Sequence, residues 1–184
     1  MLTAEDLKLR ETGIGASEAA AILELDPYKG ALDVWLRKRT PNRGPLIAAN
    51  DAGPAAAMGH AIEPVIRRIY TERTGIDVHE TATTRHADWP FVLATADGLG
   101  ERSGLEIKVV GMHMAHHWGE AGDPEGIPDY VLSQVAQNMA VYDRDRLDVA
   151  ALVGGTDLRL WTVERDADLE VAILEADVDF WERY

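Results

Sequence analysis

The middle of the chain alternates short extended segments with turn-forming residues, and helical patterns lie on both sides of it. Apolar and β-branched residues occur in three segments near 76–84, 90–97 and 104–110, separated by the turn sequences DWP and GLGERSG. Strands that are joined by such short turns pair with each other. We therefore predict that the three segments form the three-stranded centre of a sheet.

Apolar residues at helical spacing predict three helices ahead of this sheet, over 17–25, 30–39 and 60–74. Ser17 is placed to cap the first helix, and Pro64 would be tolerated in the first turn of the third. The stretch 40–54 is rich in proline, glycine and asparagine, which predicts a loop.

After the sheet, the pattern predicts a further loop at 119–128 and a helix that begins near Tyr130. Two strands at 147–154 and 158–164 follow, joined by a tight turn, and an amphipathic helix over 166–183 ends the chain. The predicted order is helices, a β-meander, a helix, a hairpin and a helix.

The 184 residues, 46% of them hydrophobic, suffice for one core, and we predict a single domain over residues 1–184. No apolar run reaches the roughly 18 residues of a membrane helix, and we expect a soluble, cytoplasmic protein without a membrane partner. The absence of cysteine excludes thiolate zinc sites and cysteine-ligated iron–sulfur clusters. Any metal must therefore bind to oxygen or imidazole.

The formal net charge of −14 opposes binding to nucleic acid, because phosphate backbones repel an acidic surface. Carboxylates clustered around a divalent cation would reduce this objection. Basic residues also cluster, and the two clusters are Arg37, Lys38, Arg39 and Arg43, and Arg67, Arg68 and Arg73. Solvated helix faces explain such clusters equally well.

The sequence LEIK places Glu106 and Lys108 two residues apart on a predicted strand, so both side chains lie on one face. Asp97 ends the preceding extended segment, and a short hairpin would bring it opposite Glu106. Two carboxylates beside a lysine can hold Mg²⁺ with its waters, and phosphodiester hydrolysis needs a hydroxide and neutralised charge. The simpler interpretation of the tripeptide alone is an ion pair on a solvated sheet face.

Four sequence blocks narrow these alternatives: GIGASEAA at 13–20, GHAIEPVIRRIYTERTG at 59–75, ATADG with LEIK at 94–108, and YVLSQVAQNMAVY at 130–142. In this order and spacing the chain resembles the lambda-exonuclease-like, or YqaJ-type, viral recombinase family of the PD-(D/E)XK nuclease superfamily. The resemblance implies an α/β (α+β) fold with a restriction-endonuclease-like core, a central mixed sheet flanked by helices. It also implies a Mg²⁺-dependent 5′-to-3′ exonuclease on linear duplex DNA that acts in phage-type recombination, with Mn²⁺ as a substitute. The partners implied are a single-strand annealing protein and a ring-like homotrimer.

The resemblance assigns roles to particular residues. Asp97, Glu106 and the carbonyl of Ile107 would bind metal, and Lys108 would position the attacking water. Glu63, in the G-x-x-x-E helix motif, would reach the same site. Its alternative role is a charge near a helix N-terminus that interacts favourably with the helix dipole.

Gln134 would polarise a water or the lysine from the helix behind the site, while Ser17 and Arg10 would bind DNA phosphate. An exposed glutamine, a helix cap and a surface arginine are the ordinary alternatives. The family's Tyr-x-x-Gln-x-Gln pattern is altered here, because Tyr130 stands four residues before Gln134 and Gln137 is displaced by one. The roles of Tyr130 and Gln137 therefore remain open.

Three other functions compete with an exonuclease. His113, His116 and His117 have the spacing of a zinc site, but the glutamate of a metalloprotease helix is missing. A non-catalytic DNA-end-binding or recombination-assembly module would keep the fold without the chemistry, and an endonuclease would use the same residues.

Overall fold

The centre of the fold is a mixed β-sheet, in a computed structural model that describes residues 3–39 and 53–183. The described α-helices are α1 (Ala4–Glu11), α2 (Ala16–Ile22), α3 (Ala31–Arg39), α4 (Pro54–Thr74), α5 (Asp129–Tyr142) and α6 (Ala167–Arg183). The described strands are β1 (Ile14–Gly15), β2 (Thr84–Arg85), β3 (Val92–Ala94), β4 (Gly98–Leu99), β5 (Gly104–Val110), β6 (Arg146–Val153) and β7 (Asp157–Glu164). No described helix has the length and apolar character needed to cross a membrane.

Strands β5 and β6 pair in parallel, and β4 and β7 flank them antiparallel in the order β4-β5-β6-β7. Both central strands are mainly apolar, as expected of strands buried on both faces. On one face, Val149 and Val153 of β6 pack against Val135 of α5. On the other face, Leu105 of β5 packs against Tyr70 of α4. The helices α4 and α5 therefore enclose the sheet from its two sides.

The prediction of one three-stranded centre is wrong. Strand β3 pairs with β1 in parallel and with β2 antiparallel, whereas β5 belongs to the four-stranded sheet. Of the extended segment predicted at 76–84, only Thr84 lies in a strand, and His79 forms an isolated bridge with Leu99. The segments at 90–97 and 104–110 were correctly recognised as extended, but each also pairs with a strand far away in the sequence, β3 with β1 and β5 with β6.

Two predicted helix starts are also wrong. Helix α4 begins at Pro54, so Pro64 lies in its interior and leaves the His60 carbonyl without the usual amide donor. Helix α2 begins at Ala16 with Gly15 at the N-cap position, so Ser17 lies inside the first turn and does not cap the helix; the Gly15 N–H donates to Glu18 Oε2 at 2.7 Å. The predicted loop at 40–54 and the basic residue Arg43 lie outside the described residues, apart from the loop's last two positions.

The predictions after the sheet are confirmed. Helix α5, the antiparallel hairpin of β6 and β7 and the final helix α6 lie where the pattern placed them. Small residues allow close approach of the helices, since Ala19 of α2 and Ala136 of α5 share a buried cluster with Ile173 of α6. This packing places α2 and α6 against α5.

Candidate active site

The register of β4 and β5 places Asp97 opposite Glu106, as predicted from the hairpin. Gly98 pairs with Leu105, so the residues just outside this pair face each other. Asp97 Oδ2 accepts a hydrogen bond of 2.7 Å from the backbone N–H of Ile107. The carboxylate of Asp97 is thereby held against the strand that carries Glu106.

Lys108 and Glu106 lie on the α5 face of β5, and a glutamine of α5 joins them. Lys108 Nζ donates to Glu106 Oε1 at 2.8 Å and to Gln134 Oε1 at 2.7 Å, while Gln134 Nε2 donates to Glu106 Oε1 at 2.6 Å. The Glu106 side chain is 3% exposed and the Lys108 side chain 25% exposed. The three side chains are therefore all hydrogen-bonded to one another, and solvent reaches them on the lysine side.

Asn138 is a residue of this site that the sequence analysis missed. Its Nδ2 donates to Glu106 Oε2 at 3.2 Å from a fully buried position on α5. It lies one helical turn after Gln134, so the spacing of four residues is the signal that would have identified it.

The charges of the site influence one another strongly. Burial and the neighbouring Glu106 carboxylate raise the pKa of Asp97 well above its usual range. Burial acts to lower the pKa of Lys108, but the Glu106 carboxylate and its hydrogen bond outweigh burial and raise it. The site therefore crowds two carboxylates around one ammonium group, an arrangement that favours binding of a further cation.

Two carboxylates and their hydrogen bonds are a donor set that suits Mg²⁺, which usually binds one or two protein carboxylates and keeps several waters. The described residues contain no group of three or more histidine, aspartate or glutamate side chains arranged to hold a metal ion. A metal ion held here by Asp97 and Glu106 would take water or phosphate oxygens as its remaining ligands. The exposed residues His113, His116 and His117 lie on a 3-10 helix and form no such group either.

Glu63 lies on α4 beside this site rather than among its hydrogen bonds. Its carboxylate contacts His60 Nδ1 at 2.8 Å, and its charge contributes to the raised pKa of Asp97. Nine residues of α4 precede it, so its position does not match the alternative of a helix N-terminal charge. One turn later, Arg67 Nε donates to the backbone carbonyl of Asp97 at 2.9 Å, a contact the sequence analysis did not predict.

Ser17 and Arg10 lie together at the start of α2. Arg10 Nη2 donates to Ser17 Oγ at 2.8 Å, and Lys29 Nζ donates to the Ser17 carbonyl at 2.9 Å. Two cationic side chains therefore surround a serine at the beginning of a helix, where an anion is electrostatically favoured.

Tyr130 and Gln137 separate in the structure. Gln137 is fully buried, and its Nε2 donates to the carbonyls of Ile14 and Leu93, which ties α5 to β1 and β3. These two hydrogen bonds account for the buried position of Gln137, so no catalytic role is needed to explain it. Tyr130 is partly buried near Lys108. The negative charge of an ionised Tyr130 would help to raise the pKa of Lys108.

A cavity of about 430 Å³ lies elsewhere, on the α4 face of the sheet, and is lined by Tyr70, Arg146, Asp148 and Trp161 among others. The residues of β6 that line it share the face of Leu105, opposite to that of Glu106. The cavity is therefore separate from the carboxylate and lysine cluster.

Comparisons with known proteins bear on the fold and the family of the chain. The structure of an alkaline exonuclease (LHK-Exo) from Laribacter hongkongensis matches with a TM-score of 0.78 at 20% identity, covering 98% of this chain and 92% of that chain. A phage related exonuclease from Haemophilus somnus 129PT matches with a TM-score of 0.65 at 11% identity, covering 94% of this chain and 92% of that chain. These likenesses confirm the predicted fold class, a PD-(D/E)XK-like core of mixed sheet and flanking helices.

The uncharacterized protein YqaJ of Bacillus subtilis (strain 168) is 29% identical over 177 residues, which cover 94% of this chain and 53% of that protein. The chain thus spans about half the length of this curated relative. The model of the YqaJ-like viral recombinase domain matches residues 6–145, which include Arg10, Ser17 and the whole cluster around Glu106. The chain belongs to the family of YqaJ-like viral recombinase domains.

Proposed function

We propose that this chain is a Mg²⁺-dependent deoxyribonuclease that hydrolyses phosphodiester bonds of linear duplex DNA. The observation that carries the proposal is the cluster of Asp97, Glu106 and Lys108, with Gln134 closing it from α5. An ordinary surface ion pair would require neither the partly buried glutamine that bonds both partners nor the second carboxylate opposite Glu106.

The residues of the cluster have separable roles. Asp97 and Glu106, with the carbonyl of Ile107, would hold Mg²⁺, which supplies charge neutralisation and a more acidic bound water when present. Lys108 uses two of its three N–H donors on Glu106 and Gln134, which leaves one donor to orient a water or a phosphate oxygen. We infer that Lys108 acts by orienting the attacking water rather than by accepting its proton.

Ser17 and Arg10 are proposed to bind a phosphate of the DNA strand that enters the site. The Ser17 hydroxyl does not cap α2, since Gly15 occupies the N-cap position. The Arg10 guanidinium already contacts this hydroxyl. A guanidinium and a hydroxyl together offer several donors to one phosphate group. Glu63 would then hold a second metal ion or its water from α4.

We further propose digestion from a 5′ end that leaves a 3′ single strand for an annealing protein, with three copies of the chain forming a ring. A ring would allow an acidic outer surface to coexist with a less negative channel around DNA. Light scattering of the purified chain would give the mass of one or of three copies.

End-labelled DNA tests the activity and its direction. With Mg²⁺, we expect release of 5′-terminal nucleotides from a linear duplex and no cutting of a covalently closed circle. Cutting of the circle would favour the alternative of an endonuclease. Binding of ends without cleavage in Mg²⁺ or Mn²⁺ would favour a non-catalytic end-binding module and would overturn the proposal.

A further inference from the structure

Glu106 is held by hydrogen bonds on both of its carboxylate oxygens. Lys108 and Gln134 both donate to Oε1, whereas Asn138 donates to Oε2. Two donors on a single oxygen still allow the carboxylate plane to turn about its last side-chain bond. The donor on the second oxygen restricts that rotation.

The position of Asn138 is costly for stability. It is fully buried in the interior of α5, and its Oδ1 has no hydrogen-bond partner within the described part of the chain. Asparagine is a weak helix former, and an unsatisfied buried amide oxygen costs about 1–3 kcal/mol. An apolar side chain would pack at this position without that cost, so the contact with Glu106 is the feature that accounts for the residue.

We propose that Asn138 is a positioning residue that sets the orientation in which Glu106 presents its Oε2 to a divalent cation. The inference rests on the proposed function in assigning Glu106 as a metal ligand. Substitution of a residue that hydrogen-bonds a metal ligand without touching the metal typically lowers metal affinity or activity by about 10- to 100-fold. Asn138 fits this description, because its amide reaches Glu106 and contacts no other residue of the cluster.

The test compares Asn138→Leu with a matched control, Ser133→Ala. Ser133 is a buried polar residue of the same helix whose hydroxyl donates, within the described part of the chain, to the Asp129 carbonyl of its own helix, so Ser133→Ala leaves the contacts of Glu106 in place. Three properties are measured for each protein. Calorimetry without DNA gives the affinity for Mn²⁺, and cleavage assays with DNA give the dependence of the rate on Mg²⁺. Thermal unfolding without metal gives the stability.

We expect Asn138→Leu to weaken Mn²⁺ binding and to raise the Mg²⁺ concentration for half-maximal cleavage by about 10-fold or more. Activity should recover partly at high Mg²⁺, and Ser133→Ala should match the wild type in both measurements. If Asn138→Leu does not fold, Asn138→Ala removes the same donor with a smaller change of shape.

A lowered unfolding temperature with unchanged Mn²⁺ affinity would show that Asn138 is only structural and would overturn the proposal. Failure of the wild-type chain to bind Mn²⁺ would overturn it as well, since Glu106 would then position no cation. If the wild type binds Mn²⁺ but cleaves no DNA, the proposed nuclease fails, whereas the calorimetric comparison still decides the role of Asn138.

Discussion

Glu18 is a buried carboxylate of α2 on which the start of that helix depends, and Glu18→Ala tests its contribution. Glu18 Oε2 contacts Lys38 Nζ at 2.7 Å and accepts the Gly15 N–H at 2.7 Å, and Arg37 contacts Oε1. The Lys38 side chain is 4% exposed, so without Glu18 this buried ammonium group would lose the carboxylate that contacts it. Among the described residues it would keep a hydrogen bond to the Arg10 carbonyl and the nearby buried carboxyl of Asp177. Removal of one member of a buried ion pair typically costs about 3–5 kcal/mol.

Urea unfolding, followed by the fluorescence of the buried Trp118 and Trp161, measures this cost. We expect Glu18→Ala to lower the free energy of unfolding by about 3–5 kcal/mol, which corresponds to roughly 10 °C in Tm for a chain of this length. The control Glu175→Ala changes an exposed glutamate of α6 and should stay within about 0.5 kcal/mol of the wild type. A loss below about 1 kcal/mol for Glu18→Ala would refute the reasoning.

The same residue gives a pH dependence of defined sign. Burial acts to raise the pKa of Glu18, but Lys38 and Arg37 outweigh burial and lower it below its ordinary value. A carboxyl with a lowered folded-state pKa stabilises the fold above its unfolded-state pKa of about 4.3, and this stability is lost as pH falls through the folded value. The stability difference between the wild type and Glu18→Ala should therefore narrow below about pH 4, and a constant difference down to pH 3 would contradict this.

Two further predictions concern single contacts. Tyr70→Phe removes a hydroxyl that donates to Asp148 Oδ2 at 2.5 Å, and it should cost about 1–3 kcal/mol in urea unfolding, whereas a change within 0.5 kcal/mol would show that the bond contributes little. Arg10→Gln should weaken binding of 5′-phosphorylated DNA about 10-fold relative to 5′-hydroxyl DNA in a fluorescence-anisotropy titration, because a charge-assisted bond is lost. An unchanged preference would remove Arg10 from the proposed phosphate contact.

The sequence predicts those parts of the fold that depend on local pattern. The position of Asp97 opposite Glu106 follows from strand periodicity and one short turn, and the final hairpin and helix follow in the same way. The start of α4 does not, because Pro54 and Pro64 read alike in the sequence and only packing shows which one begins the helix. The parallel pairing of β1 with β3 joins residues almost 80 positions apart, for which no local signal exists.

The residues of the candidate site also include some that local sequence pattern predicts and some that it does not. Glu106 and Lys108 are recognisable from their spacing on one strand, whereas Gln134 needed the pattern of a family, since 26 residues separate it from Lys108. Asn138 and Arg67 were missed because each acts through a contact between a helix and the sheet. Such contacts are set by how the helices pack, and the sequence shows only that the residues are polar and one turn from a predicted site residue.

Cleavage of linear duplex DNA by the wild type, Glu106→Gln and Lys108→Met is the most direct test of the proposed active site. With Mg²⁺, the wild type should degrade the DNA, and each variant should be at least about 100-fold slower, because each loses charge placed at the reacting phosphate. Thermal unfolding of the three proteins would show that the variants are folded. Wild-type rates in folded Glu106→Gln and Lys108→Met would contradict the assignment of the active site.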